Sequence, residues 1–269
     1  MNAFAHHLAY DFRTGLRDKS QMLMNYLFPL AFFAMMGLLM TQVNPTFKET
    51  IIPAMMVNAY MAGGLLGLPN PLVASREAGV FRSFRINGVP SLSILTIPVL
   101  GISLHMVLVS AVITAGSALF FGAAFPLNWG WFVLIGLVAI VSICGIGALL
   151  GVVASNSRAT VLLAQIIYIP SMILGGLMLP TSMLPPALGR VALLLPATHI
   201  INAFRGLALG LPPSFSTTGS LLVLATGAIL SYALAAYLFQ WDNNARRTHS
   251  PFLALLVLAP YLAAMLLSA

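Results

Sequence analysis

The chain has 269 residues, is 60% hydrophobic and 6% charged, and has a mean hydropathy of +0.99. A soluble core of this size needs a polar surface, and five acids with twelve Lys and Arg cannot supply one, so most of the chain is solvated by lipid. The net charge of +7 is not a nucleic-acid signal, because the bases stand singly between apolar runs and form no basic stripe. The single cysteine, Cys144, lies inside an apolar run and leaves no disulfide framework or multi-cysteine metal site.

In lipid every backbone polar group must be paired internally, which allows helices or closed barrels. The apolar runs here are continuous rather than alternating, and a helical span needs roughly 20 such residues, so the chain reads as an all-α polytopic membrane protein. Residues 1–20 come first, without the apolar stretch and small-residue cleavage site of a signal peptide. On a helical wheel Phe4, Ala5, Leu8, Ala9, Phe12 and Leu16 share one side, with His6, His7, Asp11, Arg13, Arg17 and Asp18 opposite. That pattern predicts an amphipathic helix along the inner membrane surface, its bases facing anionic headgroups.

Six spans follow, at about 21–41, 51–74, 91–121, 131–154, 160–179 and 219–240. Between the second and third lies REAGVFRSFRINGVP, Arg76 to Pro90, with three arginines and a glutamate inside ten residues. Ser75 as cap, Glu77 in a first turn and Asn87-Gly88 as a stop predict a short helix over Arg76–Ile86. Its wheel puts Glu77, Phe81 and Phe84 on one exposed side, flanked by Arg82 and Arg85. Such a face suits either a lipid interface or a hydrophobic socket in a partner, and composition leaves both open. Between spans 5 and 6, PTSMLPPALGRVALLLPATHIINAFRGLALGLPPSF is too apolar for a free loop and too rich in proline to span, which predicts a re-entrant or interfacial pair of short helices. The tail, 241–269, holds Arg246, Arg247 and an apolar run from Phe252, read either as a seventh span or as a helix packed along the membrane.

With the N-terminus inside, nine Lys and Arg fall in inner segments and three, Lys48, Arg190 and Arg205, in outer ones, which predicts a cytoplasmic N-terminus. No P-loop occurs, since neither Lys19 nor Lys48 follows a glycine. None of the five acids falls in mid-span. His105, inside span 3, reads as a neutral histidine bonded to a neighbouring helix in preference to a proton relay, and His199 lies in the re-entrant region. Asn58 and Gln165 face either a substrate path or another helix, and the Gly63/Gly67 and Gly147/Gly151 pairs favour close helix packing over a site.

The order of these features resembles ABC-2 type permeases, the membrane subunits of ABC exporters. Arg-Glu-x-Gly after span 2, then Gly-x-Pro before a long span 3, resembles their coupling helix, and the amphipathic N-terminus their connecting helix. Gly175, Gly176, Pro180 and Pro185, then Leu195-Pro196, resemble their outer re-entrant region. The resemblance covers about Phe4–Gln240; the tail departs from it, because the family typically ends soon after span 6. It implies that Arg76, Glu77, Gly79, Phe81, Arg82, Phe84 and Arg85 dock a soluble ABC ATPase that holds ATP and Mg, with no cofactor and no covalent chemistry in this chain. It further implies a second permease copy, with Gly175, Gly176, Pro180, Pro185, Pro196 and His199 at the seam and Asn58, His105 and Gln165 on the substrate path. Export of a drug-like molecule or lipid across a bacterial-type plasma (inner) membrane is the expected function. A self-sufficient secondary transporter is disfavoured by the lack of mid-span acids, and an intramembrane enzyme or assembly factor by the lack of G-x-S-x-G.

Overall fold

The computed structural model describes residues 3–178, 181–242 and 250–267, and all regular structure among them is helical. Pro180, Arg246 and Arg247 lie outside the described residues, as do the side chains of residues 3–5 and 182. Six helices are long and apolar enough to cross a membrane: Lys19–Val43, Ile51–Glu77, Ser91–Phe121, Trp129–Val153, Ser157–Leu174 and Thr217–Leu238, here spans 1 to 6. Their limits follow local chemistry. Asn128, Asn156 and Ser216 cap the starts of spans 4, 5 and 6 by accepting from the N–H groups of Trp131, Ala159 and Gly219 at 3.1, 2.9 and 3.1 Å. Span 3 stops at Gly122, which takes a φ of 65°, and the chain after span 5 turns at Gly176 with a φ of 83°. Span 5 therefore ends at Leu174, short of the 179 expected from hydropathy alone.

Span 2 is the centre of the bundle. Its most apolar stretch is 94% buried, against 28% for span 1 and 22% for span 5. Glycines make this packing possible. A Cβ on Gly147 of span 4 would stand 1.8 Å from the carbonyl oxygen of Gly64, so the two backbones touch. Lipid is as apolar as leucine, and such close van der Waals approach is what holds membrane helices together. Spans 1 and 2 each contain a π-helical turn, Leu23–Leu27 and Ala62–Gly67. They meet where the fully buried Asn25 packs on Gly63 and Gly67.

The N-terminal helix, Ala3–Arg17, packs on span 3 along the border of its two sides, with Phe12 from the apolar side and Asp11 from the polar one. Asp11 packs on Gly101 of span 3, Phe12 stacks on His105 with ring centroids 4.3 Å apart, and Gly15 is buried beside His105 and Gln21. Leu16 and Tyr10 are exposed instead. Small residues on both helices, Gly15 and Gly101, allow this close approach.

The stretch between spans 5 and 6 forms two helices, Pro186–Ala192 and Pro196–Ala208, bent by 93°. This is the re-entrant-like pair expected from its prolines. After span 6 an apolar helical segment, Pro251–Leu267, packs back along that span, with Tyr261 buried against Gly227.

The Gly64–Gly147 contact makes a size prediction. Gly147→Ala should destabilise the protein by about 1–3 kcal/mol through overpacking, whereas Gly189→Ala, where nothing lies within 4 Å of the added carbon, should not. Thermal unfolding of both variants in the same detergent measures the difference.

Candidate functional site: the hairpin between spans 2 and 3

Span 2 does not stop before the Arg-Glu pair; it runs through it to Glu77. Gly79 then adopts a φ of 73°, and the N–H groups of Ala78 and Gly79 close the helix end onto the carbonyls of Ala74 and Arg76 at 2.9 and 3.1 Å. The separate helix is only Val80–Ile86. The single helix over Arg76–Ile86 expected from Ser75 and Glu77 is corrected accordingly: a left-handed glycine splits it, and Glu77 sits in a last turn, not a first. The predicted stop is present. Gly88 has a φ of 71°, the Asn87 amide donates to the Ser83 carbonyl at 2.8 Å, and the Val89 N–H donates to the Phe84 carbonyl at 3.0 Å.

Arg76 is 4% exposed. Its guanidinium donates to the carbonyls of Gly151 at 3.2 Å, Val152 at 2.8 Å and Ala154, and so caps the C-terminal end of span 4. A cation there also meets the negative end of the helix dipole. Phe81 is buried against Phe239, ring centroids 5.6 Å apart, at the end of span 6. Arg82 pairs with Asp242 just beyond, its Nε 2.7 Å from Oδ2. Phe84 is half-buried, with its ring edge on His7 of the N-terminal helix at 6.3 Å. The exposed Glu-Phe-Phe face read from the wheel is thus also corrected: both phenylalanines point inward, because ring partners stand at the end of span 6 and on the N-terminal helix. Among the exposed side chains of the hairpin are Glu77, Val80, Arg85 and Ile86, the last 86% open.

Beneath the hairpin a cavity of about 180 Å³ is lined by His7, Asp11, Gln21, Ser75, Phe81 and Phe84 among others. Burial pushes the Asp11 carboxyl above the ordinary carboxylate range, against the opposing pull of His7.

The three expected path residues separate. Asn58 accepts from the Tyr168 hydroxyl at 2.9 Å, joining spans 2 and 5. Gln165 lines a groove of about 200 Å³ with Ser20, Asn70 and Thr160, between spans 1, 2 and 5. His105 stands apart: its Nδ1 is 2.6 Å from the Tyr26 hydroxyl, so it is bonded to a neighbouring helix. At the other end Gly175 packs on Ala197, Gly176 lies beside Ile201, and Pro185 and Pro196 open the two bent helices. His199 is buried there with Nε2 2.8 Å from the Leu193 carbonyl.

Sequence reasoning passed over Asn25 and Asn202. Asn202 donates to the Phe215 carbonyl and the Ser220 hydroxyl, both at 3.0 Å, and accepts from the N–H of Ser214 at 2.8 Å. An amide inside an otherwise apolar helix was the available signal. Among the described residues no group of three His, Cys, Asp or Glu side chains is placed to hold a metal ion.

The sequence profile of ABC-2 type transporters matches residues 3–209. The chain belongs to the ABC-2 type transporter family. A comparison with curated proteins returned no match. The ABC-2 match runs from the N-terminal helix to the end of the bent pair and stops before span 6. This ABC-2 chain is the membrane permease of an ABC-type transporter, a transport subunit of a family that works with ABC ATPases.

Two measurements test the geometry. Arg76→Ala strips the donors from a buried helix end and should cost about 3 kcal/mol or more of stability, whereas Arg85→Ala, exposed, should leave the thermal midpoint unchanged. The raised pKa of Asp11 means that folding favours its protonated form, so its penalty is present at neutral pH and fades as pH falls through that pKa. Asp11→Asn should therefore gain stability at neutral pH, and the gain should shrink on acidification. A His7→Gln background removes the competing charge of His7 from the titration.

Proposed function

We propose that this permease is the membrane half of an ATP-driven exporter, with ATP and Mg held by a separate ABC ATPase docked on the hairpin. The observation that carries this reading is the division of Val80–Ile86 into two faces. One is fixed to the bundle by Phe81 and Phe84; the other presents Val80, Arg85 and Ile86, beside Glu77. An exposed apolar side chain such as Ile86, set among charges, suits a partner's socket.

A force on that helix reaches most of the bundle through named contacts. It passes along the backbone into span 2, through Arg76 into span 4, and through Phe81 and Arg82 to the end of span 6. Through Phe84 and His7 it reaches the N-terminal helix, whose Asp11 and Phe12 bear on span 3. ATPase closure would thereby reposition these helices as a set and drive alternating access, or lateral access with outward release.

In this reading the basic end is cytoplasmic and the membrane is a bacterial-type plasma (inner) membrane. Two copies meet along span 5 and the bent pair, which is consistent with the open face of span 5, where Leu162 and Ile166 are 63% and 68% exposed. The Gln165 groove and the Asn58–Tyr168 pair lie on that side and supply a few polar groups in an apolar path. Their sparseness suits a hydrophobic or amphipathic cargo, drug-like or lipid.

Co-expression with the ATPase tests the docking. Ile86→Asp combined with Glu77→Ala should lower recovery of the ATPase with the affinity-tagged permease by about tenfold, as loss of a central interface anchor does. The thermal midpoint of the permease should stay unchanged. Undiminished recovery, or recovery lost only with the fold, would exclude the hairpin as the docking element.

A further inference from the structure

At the end of the molecule away from the hairpin, a cavity of about 450 Å³ lies between the bent pair, span 6 and the C-terminal helical segment. That volume falls in the range of small-ligand sites, roughly 300–1,000 Å³. Two of its three walls lie beyond residue 209, outside the part of the chain that matches the family profile. Its walls are mainly apolar, with Phe215, Val223, Pro260 and Ala263 among them. Beside it Leu222 and Leu267 are 66% and 88% exposed, which marks a lipid-facing flank.

The hydroxyls around the cavity are already engaged locally. Ser220 donates to the Ser216 carbonyl, Thr226 to the Leu222 carbonyl, and Ser216 accepts from the Gly219 N–H. His199 is different. It is 1% exposed, lines the cavity, and its Nδ1 has no hydrogen-bond partner among the described residues. Its Nε2 lies 2.8 Å from the Leu193 carbonyl, which only accepts, so Nε2 carries the proton. In the neutral ring Nδ1 is then an acceptor. Phe215 and Tyr261 stand edge-on to the ring at 5.4 and 5.7 Å and fix its orientation. The cavity therefore has an apolar body, and the histidine in its wall holds one buried, unused acceptor.

We propose that this cavity binds a single-chain membrane amphiphile whose head donates a hydrogen bond, such as a monoacylglycerol or long-chain alcohol, with its hydroxyl on His199 Nδ1 and its chain between span 6 and the C-terminal helix. A carboxylate has no proton to donate, and an ammonium would bring an unpaired charge into an apolar site. The lipid-facing flank makes the bilayer the source of the occupant. The proposal does not depend on the direction of transport or on the docking of an ATPase.

The test uses the full chain in phosphatidylcholine nanodiscs and a monooleoylglycerol carrying a diazirine in its acyl chain. After irradiation, peptide mapping should place the label on Thr217–Leu238 and Ala259–Leu267. An otherwise identical probe with both head hydroxyls methylated should label these helices about tenfold less, since it leaves the acceptor unpaired. His199→Phe should bring labelling by the hydroxyl probe down to the level of the methylated one. Equal labelling by the two probes on the wild-type chain, or no label on these helices, would overturn the proposal, and that comparison requires no variant to fold.

Discussion

A helix that ends inside a packed bundle leaves carbonyls that water cannot reach, and a buried donor must meet them. Arg76 meets them for span 4. Its side chain comes from the last turn of span 2, the most enclosed helix of the bundle, so one guanidinium fixes the relative height of two spans. Farther along the same pair of helices Gly147 lies on Gly64. The glycine contact sets how near the backbones come, and the arginine sets where span 4 ends. The hairpin that follows inherits its position from both.

The sequence carried the spans in full view, because lipid demands long apolar runs and nothing else in the chain competes with them. It carried the turn at Asn87-Gly88 and the bend between spans 5 and 6 for a similar reason: glycine and proline act locally. It misled wherever a tertiary partner decided the outcome. Arg76 stood in a charge cluster and read as part of a partner-docking helix, yet its side chain meets carbonyls at the end of a helix some 75 residues away. Phe81 and Phe84 read as an exposed pair, because Phe239 and His7 are invisible to a wheel. Asp11 read as polar surface, although Gly101 offers it a close seat on span 3.

Buried amides form a second theme. Asn25, Asn58 and Asn202 are each at most 3% exposed, yet they are provided for unequally. Asn202 is bonded at both ends of its amide and ties the segment before span 6 to the bent pair. Asn58 is bonded through its oxygen to Tyr168. Among the described residues Asn25 has no hydrogen-bond partner on either amide atom, and it sits where the π-helical turns of spans 1 and 2 meet. Interruptions of this kind recur at functional places in membrane helices. An amide unsatisfied on both atoms therefore coincides with irregular backbone on two neighbouring spans.

The contact of Arg82 with Asp242 joins residues 160 positions apart, and Phe81 waits on Phe239 over a similar distance. During synthesis the hairpin emerges early, but the part of its inner face that Phe81 and Arg82 supply stays uncovered until span 6 has been made. A nascent or truncated chain would leave Phe81 uncovered and Arg82 without its carboxylate. On the proposed docking, the inner face of the hairpin is complete only once span 6 and Asp242 have been made, so a partner that reads its shape would also read that these elements are in place.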